Sequence, residues 1–159
     1  MSLLDKEAVK RAEKFLKNFD QSLEVIILEN SARTAQDAAI ALSCDVGAIV
    51  KSLLFKTEDS FILCLVAGDK RCSINKLKKI KDKKDISMAS PEDVKTQTGY
   101  TIGGVSPIGH LKKIEIIIDN SLKRFNKLFA AAGHPNCVFK IDFNKIQKIT
   151  NGKVEDIIE

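Results

Sequence analysis

One lysine interrupts an apolar run of this chain and could do chemistry there. The run extends from Gly47 to Phe55, and Lys51 stands at its centre. Because side chains alternate along a strand, Lys51 would share one face with Ile49, Leu53 and Phe55. An ammonium among such neighbours must reach water, pair with a carboxylate, or point into a cavity and bind a phosphate or carbonyl oxygen. The alternative is an edge-strand lysine whose charge limits aggregation.

A second candidate is the glycine-rich stretch Gly99–His110, which holds four of the chain's eight glycines and one of its three prolines. The adjacent Gly103 and Gly104 leave their N–H groups uncovered and can adopt positive φ. Pro107 fixes its own φ and favours an extended Ser106. Such a loop suits a wall at which backbone amides approach a ligand closely. An ordinary tight turn between two elements is the alternative.

Several common catalytic motifs are missing from the sequence. It has no phosphate-binding loop of the form Gly-x-x-x-x-Gly-Lys-Ser/Thr, no Gly-x-Gly-x-x-Gly fingerprint after a strand and no Gly-x-Ser-x-Gly nucleophile elbow. Its only histidines, His110 and His134, give little support to a zinc site. A cysteine paired with one of them stays open as a nucleophile. What remains is a lysine with glycine amides, which suits an oxyanion or phosphate without a metal.

The positive charge of the chain is concentrated in one segment. Between Lys70 and Lys84 there are eight Lys or Arg residues and one acid, Asp82. A local basic patch suits a partner with a phosphate backbone, which could be tRNA, DNA or an anionic lipid surface. A solvated helix face that aids solubility is the alternative.

Length and composition are those of one globular domain spanning residues 1–159. The chain is 44% hydrophobic and 30% charged, and it has no long apolar run that could span a membrane. Met1–Lys17 carries charges throughout, so we expect no secretion signal. The four scattered cysteines indicate reduced core thiols and a cytoplasmic protein.

The apolar periodicity predicts a mixed α/β fold with a curved mixed sheet. Capping patterns place helix starts at Ser2, Thr34, Ser90 and Asp142, and a further helix covers residues 74–80. Short apolar or β-branched runs predict the strands, which are residues 23–28, 47–55, 61–67, 114–118, 128–132 and 137–141.

Four motifs together resemble the YbaK/ProX family, the free-standing relatives of the editing domain of bacterial prolyl-tRNA synthetases. The motifs are Gly47-x-x-x-Lys51-Ser52, Val66-Ala67-Gly68-Asp69-Lys70, Gly99-Tyr100-x-x-Gly103-Gly104-Val105-Ser106-Pro107-x-Gly109 and Ala131-Ala132-Gly133-His134-Pro135. Each motif is modest alone, but their joint order and spacing are specific. The similarity runs from about Val25 to the C-terminus.

This resemblance implies a barrel-like curved sheet surrounded by helices and hydrolysis of the ester that links a wrong amino acid to tRNA, with no metal cofactor. Lys51 stands at the position of the family's central active-site lysine. It would hold the terminal phosphate or the developing charge while water attacks, assisted in several members by the terminal ribose hydroxyl. The resemblance also implies a set of substrate-binding residues, which are Ser52, Asp69, Gly103, Gly104, Ser106 and Pro107.

The expected partner is a mischarged tRNA, in particular tRNA-Pro that carries Cys, Ala, Ser or Thr, with prolyl-tRNA synthetase as a second partner. The candidate tRNA-binding residues belong to the basic segment and are Lys70, Arg71, Lys78, Lys79 and Lys81. A non-catalytic tRNA- or synthetase-binding module of the same fold is the rival hypothesis. A hydrolase of small phosphate esters is the third.

Overall fold

The computed structural model describes residues 2–30 and 32–159, so Met1 of the N-terminal segment lies outside the described residues. The α-helices are α1 (Glu7–Phe19), α2 (Ala35–Leu42), α3 (Ile74–Lys81), α4 (Pro91–Thr98) and α5 (Phe143–Thr150). The strands are β1 (Val25–Ile27), β2 (Ile49–Lys56), β3 (Phe61–Ala67), β4 (Ser87–Met88), β5 (Glu115–Asp119), β6 (Leu128–His134), β7 (Cys137–Ile141) and β8 (Lys153–Glu155). Short 3₁₀ helices cover Leu3–Asp5, Val46–Ala48 and Asn120–Arg124.

Most helices begin where a capping side chain predicts a start. Thr34 accepts a hydrogen bond from the Asp37 N–H at 3.1 Å, and Ser90 and Asp142 cap α4 and α5 in the same way. Ser2 differs from the prediction, because it caps only a 3₁₀ turn and α1 begins at Glu7. Both kinds of start satisfy N–H groups that have no partner within the helix.

The strands form one mixed sheet of eight strands in the order β1-β7-β6-β2-β3-β5-β8, with β4 pairing to β2. The pairs β2/β6, β3/β5 and β5/β8 are parallel, and the other pairs are antiparallel. The predicted mixed α/β fold with a mixed sheet is therefore confirmed. Since β2 lies between β6 and β3, Lys51 is not on an edge strand of this sheet.

Apolar side chains bury both faces of the sheet. On one face, Val50 and Leu54 of β2 pack in a cluster with α1, α5 and the Gly99–His110 loop. On the other face, Phe55 packs with Leu77 of α3. A smaller cluster joins α2 to the start of β2. Helices on both faces thus hold β2 in the middle of the fold. Among the described residues no helix combines the length and the apolar character that crossing a membrane would require.

Candidate active site

The middle of β2 has a neighbouring strand on one side only. On its free side, β6 pairs with β2 at Ile49 and Val50, and β4 pairs with it at Phe55 and Lys56. Between these two contacts, the residues of β2 are in register with β3 and with no second strand. The sheet therefore has a short gap beside Lys51.

A cavity of about 370 Å³ lies at this gap. Its walls come from β2, the start of α2, the β4 region, β6 and the glycine-rich loop. Small and apolar residues such as Ala38, Ala130 and Val105 supply much of the lining. The charged residues of the lining are Lys51 and Arg33. An apolar cavity with few polar groups is typical of a small-molecule site.

Lys51 lines the cavity and is half-buried. Its ammonium donates a hydrogen bond to the main-chain carbonyl oxygen of Lys70, just beyond the end of β3. Burial holds the pKa of Lys51 below its ordinary value, and repulsion from Arg71 lowers that pKa further. Asp69 and Cys72 act in the opposite direction. An ammonium has three donors, so two remain for a ligand.

Asp69 lies near Lys51 but is absent from the cavity lining. Its carboxylate accepts two hydrogen bonds from Arg124, at 2.7 and 3.0 Å. These hydrogen bonds hold the pKa of Asp69 below its usual range. Because both oxygens contact the guanidinium, Asp69 fixes the turn after β3 to the 3₁₀ helix after β5.

The two adjacent glycines of the loop have different surroundings. Gly103 lines the cavity with φ of +95°, a conformation that favours glycine. Gly104 packs against the end of β6, where a Cβ would come within 2.9 Å of the His134 main chain. Its N–H donates to Thr101 at 2.9 Å, and its carbonyl accepts from the Gly133 N–H at 3.1 Å. Both peptide groups of Gly104 are thus used within the fold.

Ser106 and Pro107, in the second half of the glycine-rich loop, are buried and do not line the cavity. The Ser106 carbonyl oxygen lies 2.7 Å from His110 Nε2. Burial lowers the pKa of this imidazole, which favours its neutral form as the hydrogen-bond partner. The contact between Ser106 and His110 therefore stabilises the second half of the loop.

Both histidines lie outside the cavity lining, and so do the four cysteines. His134 Nδ1 accepts a hydrogen bond from the Asn136 N–H at 3.0 Å, and burial lowers the pKa of this ring. The described residues contain no group of three His, Cys, Asp or Glu side chains that could hold a metal ion. The arrangement gives no support to a cysteine–histidine nucleophile in this cavity.

Ion pairs divide the basic segment into two groups. Lys81 contacts Glu115 at 2.6 Å, and Lys76 and Lys83 also contact acids. Five other cations have no ion-pair partner in the part of the chain that the structure describes, namely Lys70, Arg71, Lys78, Lys79 and Lys84. The second group is free to contact an anionic partner.

Sequence reasoning missed much of the cavity wall. Nothing in the small residues of α2 and β6 indicates from the sequence that they enclose a cavity. Arg33, whose partner the sequence leaves open, is exposed at the lining. Ser52 has a buried Oγ without a hydrogen-bond partner among the described residues. A buried polar atom of this kind requires an explanation, which a ligand would supply.

Comparison with known proteins identifies a protein family that this chain matches. A model of the aminoacyl-tRNA editing domain matches residues 29–149. The uncharacterized protein YwhH of Bacillus subtilis is 35% identical over 132 residues, which cover 82% of this chain and 83% of that protein. Proline–tRNA ligase of Thermosipho africanus is 33% identical over 114 residues, which cover 72% of this chain. The chain spans 20% of that ligase's length.

A solved structure is similar over nearly the whole chain. A protein described as a candidate trans-editing enzyme for prolyl tRNA synthetase matches with a TM-score of 0.92 and 33% sequence identity. The match covers 97% of this chain and 98% of that one. The similarity therefore extends beyond the residues matched by the family model and includes most of α1.

Proposed function

The chain belongs to the aminoacyl-tRNA editing domain family, and from this premise we propose that it hydrolyses the ester between a wrongly attached amino acid and its tRNA. The proposed substrate is tRNA-Pro that carries Cys, Ala, Ser or Thr, and the proposed location is the cytoplasm. The observation that carries the proposal is the half-buried Lys51 in the lining of a small, largely apolar cavity, with its ammonium held by the Lys70 carbonyl.

The cavity suits a small amino acid. Its volume of about 370 Å³ and its apolar walls favour a short side chain with part of the terminal ribose. Water attack on the ester carbonyl places negative charge on the carbonyl oxygen. A fixed cation or N–H donor near that oxygen stabilises the transition state more than the ground state. We assign this role to Lys51, or alternatively the binding of the terminal phosphate.

The unpaired cations of the basic segment support the tRNA-binding part of the proposal. Lys70 and Arg71 lie in the turn after β3, at the carbonyl that holds Lys51. Lys78 and Lys79 extend the positive surface along α3. Phosphates of the acceptor end would contact these side chains while the aminoacyl group enters the cavity. Prolyl-tRNA synthetase, to whose relatives this chain is similar, is the proposed second partner.

A panel of mischarged tRNAs tests the proposal. Purified protein should release the amino acid from at least one of them, and Lys51→Met should abolish the release. Lys56→Met is the matched control, because Lys56 is an exposed lysine on the same strand and does not line the cavity. Tight tRNA binding without any Lys51-dependent release of an amino acid would contradict the proposed deacylase activity. It would favour a non-catalytic tRNA-binding module.

A further inference from the structure

The hydrogen-bond pattern of β2 determines which of its peptide groups face the cavity. The Gly68 N–H donates to the Ile49 carbonyl at one end of the β2–β3 pair, and the Thr57 N–H donates to the Ser60 carbonyl at the other, both at 2.8 Å. In an antiparallel pair, alternate residues bond to the same neighbour. The odd-numbered residues of β2 therefore bond to β3, and the even-numbered residues direct their N–H and C=O groups to the opposite side.

Ser52 is the even-numbered residue that lies in the gap. Before it, Val50 is in register with Ala130 of β6. After it, the Leu54 carbonyl accepts from the Ala89 N–H at 3.0 Å. The register of β6 with β2 ends at Val50, and β6 is irregular beyond Ala131. Within residues 2–30 and 32–159, neither the strand registers nor the hydrogen bonds outside the strands give the N–H or the C=O of Ser52 a partner.

These unpaired groups lie at a site built for a ligand. Ser52 lines the cavity, and its buried hydroxyl also has no partner. More than nine-tenths of the backbone polar groups buried in proteins are paired, because an unpaired one loses hydration without compensation. A residue beside a cavity with one buried unpaired hydroxyl and two peptide groups that lack partners therefore calls for a ligand with matching donors and acceptors.

An aminoacyl group has the matching pattern. It is a single amino-acid residue with an amino nitrogen and a carbonyl oxygen. In the hydrogen-bonded pair of an antiparallel ladder, two residues exchange both of their N–H···O bonds. One residue in the gap could thus donate to the Ser52 carbonyl and accept from the Ser52 N–H, as an added strand does at a sheet edge.

We propose that the main chain of Ser52 is the docking site of the aminoacyl group. The Ser52 N–H donates to the ester carbonyl oxygen and to the negative charge that develops there, and the Ser52 carbonyl accepts from the α-ammonium. This inference rests on the proposed function and assigns its substrate class, which is α-aminoacyl esters with a free α-ammonium. Recognition of the amino-acid scaffold is then independent of the side chain, and the cavity walls select the side chain.

A binding experiment tests the docking without any need for hydrolysis. The ligand is 3′-alanylamino-3′-deoxyadenosine, whose amide replaces the ester, and its N-acetyl derivative is the matched control. In NMR spectra of ¹⁵N-labelled protein, the ligand should shift the Ser52 amide and slow its exchange with water by about tenfold or more, the effect of one hydrogen bond. The N-acetyl derivative should bind at least about tenfold more weakly. An unchanged Ser52 amide, while other lining residues shift, would overturn the proposal.

A kinetic experiment isolates the N–H group. Lactic acid incorporated at position 52 is compared with Ser52→Ala, since the two proteins differ only in that an ester oxygen replaces the N–H. The lactic acid protein should retain the melting temperature of Ser52→Ala and lose about 100-fold in kcat, as for other oxyanion donors. Equal kcat values would exclude the N–H as a donor. If no protein hydrolyses any mischarged tRNA, the proposed function fails, and the NMR result still decides the docking.

Discussion

The Nε–H group of Arg11 donates a hydrogen bond to the main-chain carbonyl oxygen of Gly109 at 2.8 Å, although 98 residues separate them. The same guanidinium donates to the Thr98 carbonyl at 3.3 Å and lies 4.7 Å from the centre of the Tyr100 ring. Arg11 thus fixes α1 to both ends of the loop that supplies Gly103 to the cavity. Part of the support of the candidate site therefore lies outside the residues matched by the family model.

Replacing Arg11 should loosen this loop. Arg11→Met removes two charge-assisted hydrogen bonds, so we expect the free energy of unfolding to fall by about 2 kcal/mol and kcat/KM by about tenfold. Urea denaturation and deacylation kinetics measure the two effects. Lys10→Met, at an exposed neighbour on α1, should change neither. Equal behaviour of the two variants would contradict the role of Arg11.

Removing the hydroxyl of Ser52 should not destabilise the protein. Its Oγ is buried without a partner among the described residues, so Ser52→Ala removes a polar atom that gains nothing from folding. We expect the free energy of unfolding to stay constant or rise by about 1 kcal/mol. Urea denaturation gives the value, and Ser60→Ala serves as the control. Ser60 bonds to Thr57 at 2.9 Å, so its loss should be destabilising. A clear fall for Ser52→Ala would show that its hydroxyl has a stabilising partner.

The pKa of Lys51 should respond to its charged neighbours in opposite directions. Burial lowers it most, Arg71 lowers it further and Asp69 raises it. Arg71→Gln should therefore raise the pKa, and Asp69→Asn should lower it, as NMR of ¹³C-labelled lysine would report. Because the folded pKa lies below the unfolded one, the unfolded chain binds more protons between the two values, and stability rises with pH in that window. Shifts of the same sign in both variants would contradict this arrangement.

The free cations of α3 should contribute to tRNA affinity. Lys78→Gln with Lys79→Gln removes two charges without an acid partner, so the slope of log Kd against log salt should fall by about 1 to 2. Filter binding at several salt concentrations measures it. Lys112→Gln with Lys113→Gln removes the same charge from an exposed site outside the basic segment and should leave the slope unchanged. Equal slopes for both double variants would exclude α3 as a contact.

Among the described thiols, Cys72 should react first with iodoacetamide near neutral pH. The neighbouring Cys64 thiol lowers the pKa of Cys72 most, burial opposes this in part, and the Lys51 ammonium lowers the pKa further. Burial instead raises the pKa of Cys44 and Cys137. Cys64→Ala should raise the pKa of Cys72 and slow its alkylation, which mass spectrometry can follow with Cys44 as the internal reference. Faster alkylation of Cys44 than of Cys72 in the native protein would contradict the prediction.

Local signals in the sequence predicted the elements of the fold. Capping residues such as Ser90 and Asp142 fix helix starts through contacts three residues away, so they can be read directly. The strands β4 and β8 were missed because neither contains an apolar or β-branched run, whereas the equally short β1 consists of Val25, Ile26 and Ile27. The Ser2 prediction placed the helix start too early, since a capping pattern does not distinguish an α-helix from a 3₁₀ turn.

The candidate site was less predictable, because it depends on contacts between distant parts of the chain. Lys51 and Gly103 were chosen from their residue types, and both line the cavity. The gap beside Ser52 arises where β6 separates from β2 before β4 joins it, and no local pattern encodes this separation. Likewise, the Gly104 peptide groups form hydrogen bonds with Thr101 and with the distant Gly133, and no local pattern predicts the second of these.

The gap on β2 also limits the length of what can occupy it. With β6 in register up to Val50 and Ala89 bonded to Leu54, the opening spans residues 51–53, and Ser52 alone directs its peptide groups into it. In a peptidyl-tRNA, the residue next to the ester continues into a polypeptide, which would collide with one of the flanking segments. The same opening that admits a single aminoacyl group would therefore spare the growing chains of the ribosome.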